Sequence, residues 1–498
     1  MSSNLYNTYK TTLQKIADIK YATAVLQWDQ ETYLPPKGAE ARGRQIATLT
    51  EIAHEQFTEE AFGNLLQELL SKDNLSGKQK RNVQLSLEDY TKSKKLPSAF
   101  IRQMSEAVNK SFHAWMDARK QNSFAVFQQP LNDIIELKRQ EADLLGYQHH
   151  PYNALMNDYD KGLTVAITDK IFNDLKPQLI HLLNRIKVKP QVGNSFLHQH
   201  FNKNEQWKFG LEILDAIHFD KQAGRQDISE HPFTINFCSS DVRVTTRIDE
   251  NDFGNMTWSC LHEGGHALYE QGLSESEYGL PLGEYCSLSI HESQSRLWEN
   301  NVGRGKAFWQ HHYKLAQQTF GKQFAAISAD DFYRAINKVE PSFIRTEADE
   351  LTYHLHVMIR YEIEKMLIEG SISTKDIPAY WNEHYEKYMG IKVPDDKNGC
   401  LQDVHWSHGS FGYFATYSLG SLYAAQLYAA ILKENVSVET EIGEGNVQTV
   451  LNWLRKNIHA YGRYFTSEEL CKQATGETLN SNYFTKYAND KYGKIYNL

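Results

Sequence analysis

Two histidines four residues apart, His262 and His266, enclose Glu263 in the segment Cys260-Leu-His-Glu-Gly-Gly-His-Ala-Leu-Tyr-Glu-Gln-Gly272. On an α-helix residues at this spacing share a face. Both imidazoles can then meet one Zn²⁺ at roughly 2.0–2.1 Å, while the carboxylate beside the first projects toward the metal's open position. Such a constellation suits hydrolysis of an amide: the metal lowers the pKa of a water, Glu263 takes its proton as general base, and the hydroxide attacks the carbonyl. With 20 His in 498 residues, the five-residue pattern arises by chance in roughly one such chain in twenty. The surrounding residues therefore decide its meaning.

Gly264 and Gly265 each cost roughly 1 kcal/mol relative to Ala inside a helix, so their presence predicts that something approaches this backbone closely. Gly272 offers a helix end. A catalytic zinc also needs a third protein ligand. A further histidine at the spacing of the metzincins is absent, because Tyr269 and Gly272 stand where Gly and His would be needed. The ligand must come from the acids downstream, which include Glu270, Glu275, Glu277, Glu284, Glu292 and Glu299. Glu292, in Ser289-Ile-His-Glu-Ser-Gln-Ser-Arg-Leu-Trp298, starts the next helical pattern and is modestly favoured. Glu284 and Glu299 remain alternatives, read otherwise as exposed carboxylates.

The elements that must position these groups are mostly helical. Apolar residues recur at the 3.6 period over Leu5 to Trp28, Phe124 to Leu145, Ile167 to Ile186, Leu351 to Leu367 and Leu419 to Leu432. Thr466 followed by Glu469, and Ser373 followed by Asp376, read as capping boxes. One region reads as strand: Thr234 to Phe237, a turn, then Val242 to Arg247, a hairpin just upstream of the His262 helix, along whose edge a peptide could lie. Linkers and repeats are absent, so a single domain over 1–498 is expected, with a cleft between two helical halves as the place for a site. Five cysteines with no C-x-x-C pair argue against a disulfide framework or a cysteine metal site. A net charge of −9 without a basic cluster argues against nucleic acid. No apolar run reaches the roughly 18 residues of a membrane helix. The N-terminal residues lack a secretory pattern, so a cytoplasmic location is expected.

Beyond the metal motif, His231-Pro-Phe233, Asp241-Val-Arg-Val-Thr-Thr-Arg247, His291-Glu-Ser-Gln294, Ile344-Arg-Thr-Glu-Ala-Asp349 and Gly399-Cys-Leu-Gln-Asp-Val-His-Trp406 recur in an order and spacing that resembles the carboxypeptidase Taq family of metallocarboxypeptidases. Trp28-Asp29 and Pro35-Pro36 extend the likeness to the N-terminal segment. Ala415 departs from it, since the family pattern leads us to expect proline there. The resemblance implies a single large, mostly α, neurolysin-like and saddle-like body with a deep cleft and a small β-element beside the metal. It also implies a homodimer that removes single residues from peptide C-termini. By the His-Glu-Ser-Gln motif it makes Glu292 the third ligand. Zinc is the expected metal, with cobalt the alternative.

Donors for the tetrahedral oxyanion are sought in His405-Trp-Ser-His-Gly-Ser-Phe-Gly-Tyr-Phe-Ala-Thr-Tyr417 and at His231, making Tyr417, Tyr413, His405 and His231 candidates. A packing role fits each of them equally well. Arg345 matches the family motif and has the planar fork that a free terminal carboxylate calls for, although a salt bridge to Glu347 or Asp349 would also account for it. Arg243 and Arg247 are read as structural supports. Asp349 and Asp403 are read as orienting the metal-bound imidazoles. An endopeptidase or oligopeptidase on the same fold, and an inactive helical peptide-binding module, are the rival functions. Arg345 speaks against the first and the intact metal set against the second.

Overall fold

The computed structural model describes residues 2–498 and divides into two compact units, each assembled from three stretches of chain. Helix dominates both, as the periodicity predicts. The helices Ser2–Thr32, Phe124–Leu145, Val165–Lys187, Tyr353–Glu369 and Phe414–Glu434 contain or closely match the five periodic segments. Both capping boxes form, at Thr466/Glu469 and Ser373/Asp376. Among the described residues no helix is long and apolar enough to cross a membrane.

The first unit comprises the chain up to Lys94, Asn194–Ile336 and Tyr423–Thr478. One of its cores gathers Tyr9, Leu13, Phe62, Leu66, Leu69 and Val83. A second surrounds Phe253, whose ring meets Phe201, Phe209, Phe320, Phe324 and Phe332 at centroid distances of 5.2 to 5.7 Å. Phe253 opens the helix Phe253–Glu270, capped by Asp252, whose carboxylate accepts from the Gly254 amide. The aromatic cluster thus anchors the start of the helix that carries the His-Glu-x-x-His motif.

A three-stranded sheet flanks this helix. β1 (Gly224–Ile228) pairs parallel with β3 (Asp241–Thr246), and β2 (Thr234–Cys238) pairs antiparallel with it, leaving β2 at an edge. The β2–β3 hairpin is the one legible in the sequence. β1 is an addition to it, since it buries the consecutive polar residues Gln226 and Asp227, and a strand that buries polar side chains shows no apolar alternation. At Gly224 the sheet needs glycine, because a Cβ there would stand 2.1 Å from the Val242 carbonyl oxygen.

The second unit comprises Lys95–Gly193, Asn337–Leu422 and Leu479–Leu498. Its central helix, Tyr353–Glu369, is buried over most of its surface and carries Arg360 and Glu364 inside. Ala415 falls in the first turn of the helix Phe414–Glu434, where an alanine and a proline are both accommodated.

Candidate active site

Helix Phe253–Glu270 points His262 and His266 the same way, with ring centroids 4.9 Å apart. Helix Leu288–Arg296 crosses it and brings Glu292 to them. Glu292 Oε2 lies 3.7 Å from His262 Nε2 and 3.5 Å from His266 Nε2. One ligand atom from each of the three falls within 4.8 Å of the others. Bonds of about 2.0–2.1 Å in tetrahedral geometry put ligand atoms about 3.3 Å apart, so the three fit a divalent cation with little adjustment. The rings keep side-chain exposures of 21% and 15%, which leaves the fourth position open to water.

The close crossing explains the paired glycines. A Cβ on Gly265 would lie 2.7 Å from both the Gln294 carbonyl oxygen and the Ser295 Cα, so only glycine lets the two helices approach far enough to share a metal. Gly264 faces Leu214 and Ile217. The expected close approach is therefore a helix and a packed side-chain layer.

Charge is arranged around this centre. Arg296 Nε donates to Glu292 Oε1 at 2.7 Å, which leaves Oε2 for the metal position. Burial opposes ionisation of Glu292, yet Arg296 and the two imidazoles outweigh it and hold the carboxyl well below its ordinary value. Glu299, expected at the surface if it is not a ligand, is instead buried, and its Oε2 stands 2.9 Å from His262 Nδ1. Despite burial, Arg296, the His262 bond and Arg304 hold Glu299 at about 2. With Nδ1 donating to a carboxylate, His262 is turned so that Nε2 faces the metal position. Burial favours neutral His262, but Glu292 and Glu299 overcome it and raise its pKa, the signature of a site that attracts positive charge. Burial and His291 push His266 down to about 3, keeping it neutral as a ligand must be. Glu284, the other rival ligand, pairs with Arg463 at 2.7 Å on the surface.

Glu263 is buried beside the ligands, and burial raises its carboxyl above the ordinary value. The Thr234 hydroxyl, at the start of β2, lies 2.7 Å from Glu263 Oε2 and 3.0 Å from the Glu263 carbonyl oxygen, fixing the carboxylate's orientation. Sequence reasoning took Thr234 for a strand residue only. A hydroxyl two residues after His231-Pro was the available signal, and it was not specific.

Five more of the singled-out residues, Arg345, Asp403, His405, Tyr413 and Tyr417, gather within the second unit. Arg345 is buried, its Nε donating to Asp403 Oδ1 at 3.0 Å and its Nη1 to the Tyr353 hydroxyl at 3.3 Å. Its guanidinium sits 4.8 Å from the Tyr417 ring centroid. The Tyr417 hydroxyl is 3.0 Å from His405 Nε2, and the Tyr413 and Tyr417 rings are 4.8 Å apart. Burial and Arg345 depress His405 to about 3, so it is a neutral donor or acceptor. Asp403 accepts from Arg345 and from Arg360 Nε at 2.6 Å, and Asp349 caps the Tyr353 helix through the Leu351 and Thr352 amides. Neither aspartate bonds to His262 or His266, which corrects that expectation; Glu299 is the carboxylate that meets His262. His231 is exposed between β1 and β2. Arg243 forms a two-point pair with Asp241 and stacks 4.4 Å above Trp28.

Comparison with known proteins identifies the family. The family model of the carboxypeptidase Taq (M32) metallopeptidases matches residues 8–492. Carboxypeptidase 1 of Bacillus subtilis is 39% identical over 488 residues, covering 97% of each chain. The solved M32 carboxypeptidase from Deinococcus radiodurans R1 is 37% identical and superposes with a TM-score of 0.98, covering 99% of this chain and 100% of its own. The solved structure of CHT is 56% identical at a TM-score of 0.97, covering 98% and 99%. A matched family model over almost the whole chain, joined to three side chains that could hold a metal ion with a buried glutamate beside them, places the chain in the carboxypeptidase Taq (M32) family of metal-dependent carboxypeptidases.

Proposed function

We infer that the chain releases single amino acids from the free C-terminus of peptides, using His262, His266 and Glu292 to hold a divalent metal and Glu263 as general base. The observation that carries this reading is the convergence of three ligand atoms within 4.8 Å beside a buried carboxylate. The cation, when bound, supplies a Lewis acid that polarises the scissile carbonyl and acidifies a water. Glu263, steadied by Thr234, accepts that water's proton and passes it to the leaving amine. Its raised pKa brings it nearer the operating pH, as a group that must both take and give a proton requires.

Arg345 is assigned to the substrate's terminal carboxylate. Arg345 and Arg360 share the single carboxylate of Asp403, so these three groups carry a surplus positive charge in a buried setting, which a second carboxylate would neutralise. Tyr417, with its hydroxyl on His405, is the preferred oxyanion donor, and Tyr413, His405 and His231 are the other candidates. Two imidazoles and one carboxylate suit zinc, with cobalt also compatible. We propose a homodimer, as the family resemblance implies, with the cytoplasm as its location. Product masses from one peptide offered as free acid and as C-terminal amide, with metal content measured on the same protein, test the reading. Stepwise single-residue loss from the acid alone is expected. Equal cleavage of the amide, or internal fragments, would make the chain an endopeptidase.

A further inference from the structure

The two metal-binding imidazoles are backed differently, and the second backing reaches farther than a single hydrogen bond. His266 Nδ1 lies 2.5 Å from His291 Nδ1, and His291 Nε2 lies 2.8 Å from Glu270 Oε1. Glu270 Oε2 in turn accepts from Asn236 Nδ2 at 2.7 Å, on the edge strand β2. Glu270 is buried, four residues beyond His266 on the same helix face, while His291 precedes the ligand Glu292.

Only one placement of protons satisfies this chain while leaving His266 able to bind a cation. His266 Nε2 faces Glu292 and must be bare, so the proton of the neutral ring sits on Nδ1 and points at His291. His291 Nδ1 must then accept, which puts its proton on Nε2, toward the Glu270 carboxylate. The opposite arrangement sets a bare His291 Nε2 against a carboxylate oxygen at 2.8 Å and leaves a proton on His266 Nε2, where the metal belongs. We propose that Glu270 and His291 are positioning residues, a carboxylate–imidazole relay that fixes the metal-binding tautomer of His266, with Glu270 two rings from the metal position. The proposal rests on His266 being a ligand. It gives Glu270, one of the acids downstream of the metal motif, a role it performs without touching the metal.

A relay makes a prediction that independent supports do not: Glu270 acts only through His291. Zinc dissociation constants, measured on the full chain by competition with a chromophoric chelator, should rise about 10- to 100-fold for His291→Phe and also for Glu270→Ala. The double variant should bind no more weakly than His291→Phe alone, because the relay is already cut. Glu270→Gln should stay near wild type, since its amide oxygen can accept the same bond while Asn236 turns its own amide. Glu299→Ala, which acts on His262, should combine multiplicatively with His291→Phe. Apo-protein melting temperatures guard against lost folding, and the visible spectrum of the cobalt-loaded protein should change in His291→Phe and Glu270→Ala but not in Glu270→Gln. The relay is overturned if either single variant keeps wild-type zinc affinity, if the two losses multiply, or if Glu270→Gln is as weak as Glu270→Ala. Should His291→Phe fail to fold, the comparison of Glu270→Ala with Glu270→Gln decides alone. A wild-type protein that binds no zinc would instead remove the ligand assignment itself.

Discussion

Replacing Arg345 by methionine tests the assignment of the substrate carboxylate, and the charge balance around Asp403 sets what to expect. Breaking a buried ion pair by removing one partner usually costs about 3–5 kcal/mol, because the other charge is left uncompensated. Here Asp403 keeps Arg360 at 2.6 Å, so the remaining pair is balanced and the loss reduces to packing around a side chain of similar length. Global stability should therefore fall by only about 1–2 kcal/mol. Asp403→Asn should do more damage, since it leaves two buried guanidiniums without their shared anion. Catalysis should respond in the reverse order of severity. If the guanidinium grips a desolvated carboxylate, its loss costs about 2–5 kcal/mol of binding, or roughly 30-fold to several thousandfold in kcat/KM. That figure alone would not separate recognition from misplaced structure. The discriminating assay compares one peptide as free acid and as amide: wild type should prefer the acid strongly, and Arg345→Met should lose most of that preference by slowing the acid. A variant that is slow on the acid yet retains the full acid-to-amide ratio would show that another cation holds the carboxylate and that Arg345 supports the wall around it.

Glu263→Gln should retain stoichiometric metal and lose nearly all turnover, because an amide cannot accept the water's proton; unchanged turnover would remove the general base. Glu292→Ala should sharply weaken metal binding, whereas Glu284→Ala, on the surface with Arg463, should leave metal content as it was; the reverse pattern would reassign the third ligand. Gly265→Ala should weaken metal binding and lower the melting temperature, since its Cβ meets the backbone of Gln294 and Ser295, while Gly264→Ala, meeting the flexible ends of Ile217 and Leu214, should do less; equal effects would show that helix separation does not control the site. Burial raises Glu364 to about 7, against the opposing bonds from Tyr152, the Gly412 amide and Trp406, so the folded state holds a proton that the unfolded chain releases above about 4.5. Stability from this group is full at low pH and declines as pH rises through 7, by on the order of 3 kcal/mol, and urea titrations from pH 5 to 8 should show a flatter profile for Glu364→Gln than for wild type; parallel profiles would sink the assignment.

Why some of these groups were legible and others were not comes down to how far their partners lie along the chain. His262, Glu263 and His266 share one helical turn, so their spacing alone states that two rings face one point. The helices themselves were equally open to reading, because apolar periodicity and a capping residue such as Thr466 are local properties. Glu292 needed the family motif, since its meeting with His266 depends on a helix crossing that no local pattern encodes. Glu299 was misread for the same reason. A glutamate seven residues past Glu292 looks like any solvated helix face, and only the fold shows Arg296, Arg304 and His262 closing around it. β1 was missed because the strand buries Gln226 and Asp227, and Asp403 was misassigned because its two arginine partners lie 58 and 43 residues upstream.

The glycine pair shows what a local rule can deliver when its conclusion is left general. Two adjacent glycines inside a helix are unfavourable by roughly 1 kcal/mol each, so the sequence states that this backbone must be closely approached, without saying by what. The 2.7 Å that would separate a Gly265 Cβ from the Gln294 carbonyl gives the answer as the helix that carries Glu292. The same contact that costs helix propensity places Glu292 3.5 Å from His266 Nε2, so propensity is sacrificed where the two helices must meet. Cβ-bearing residues at 265 would have to move the Glu292 helix outward, and with it His291, which sits on the same helix and contacts His266. A single close crossing thereby sets both the ligand triangle and the hydrogen-bond chain behind it. The two cannot be adjusted independently, and that coupling is the physical reason for glycine at this position.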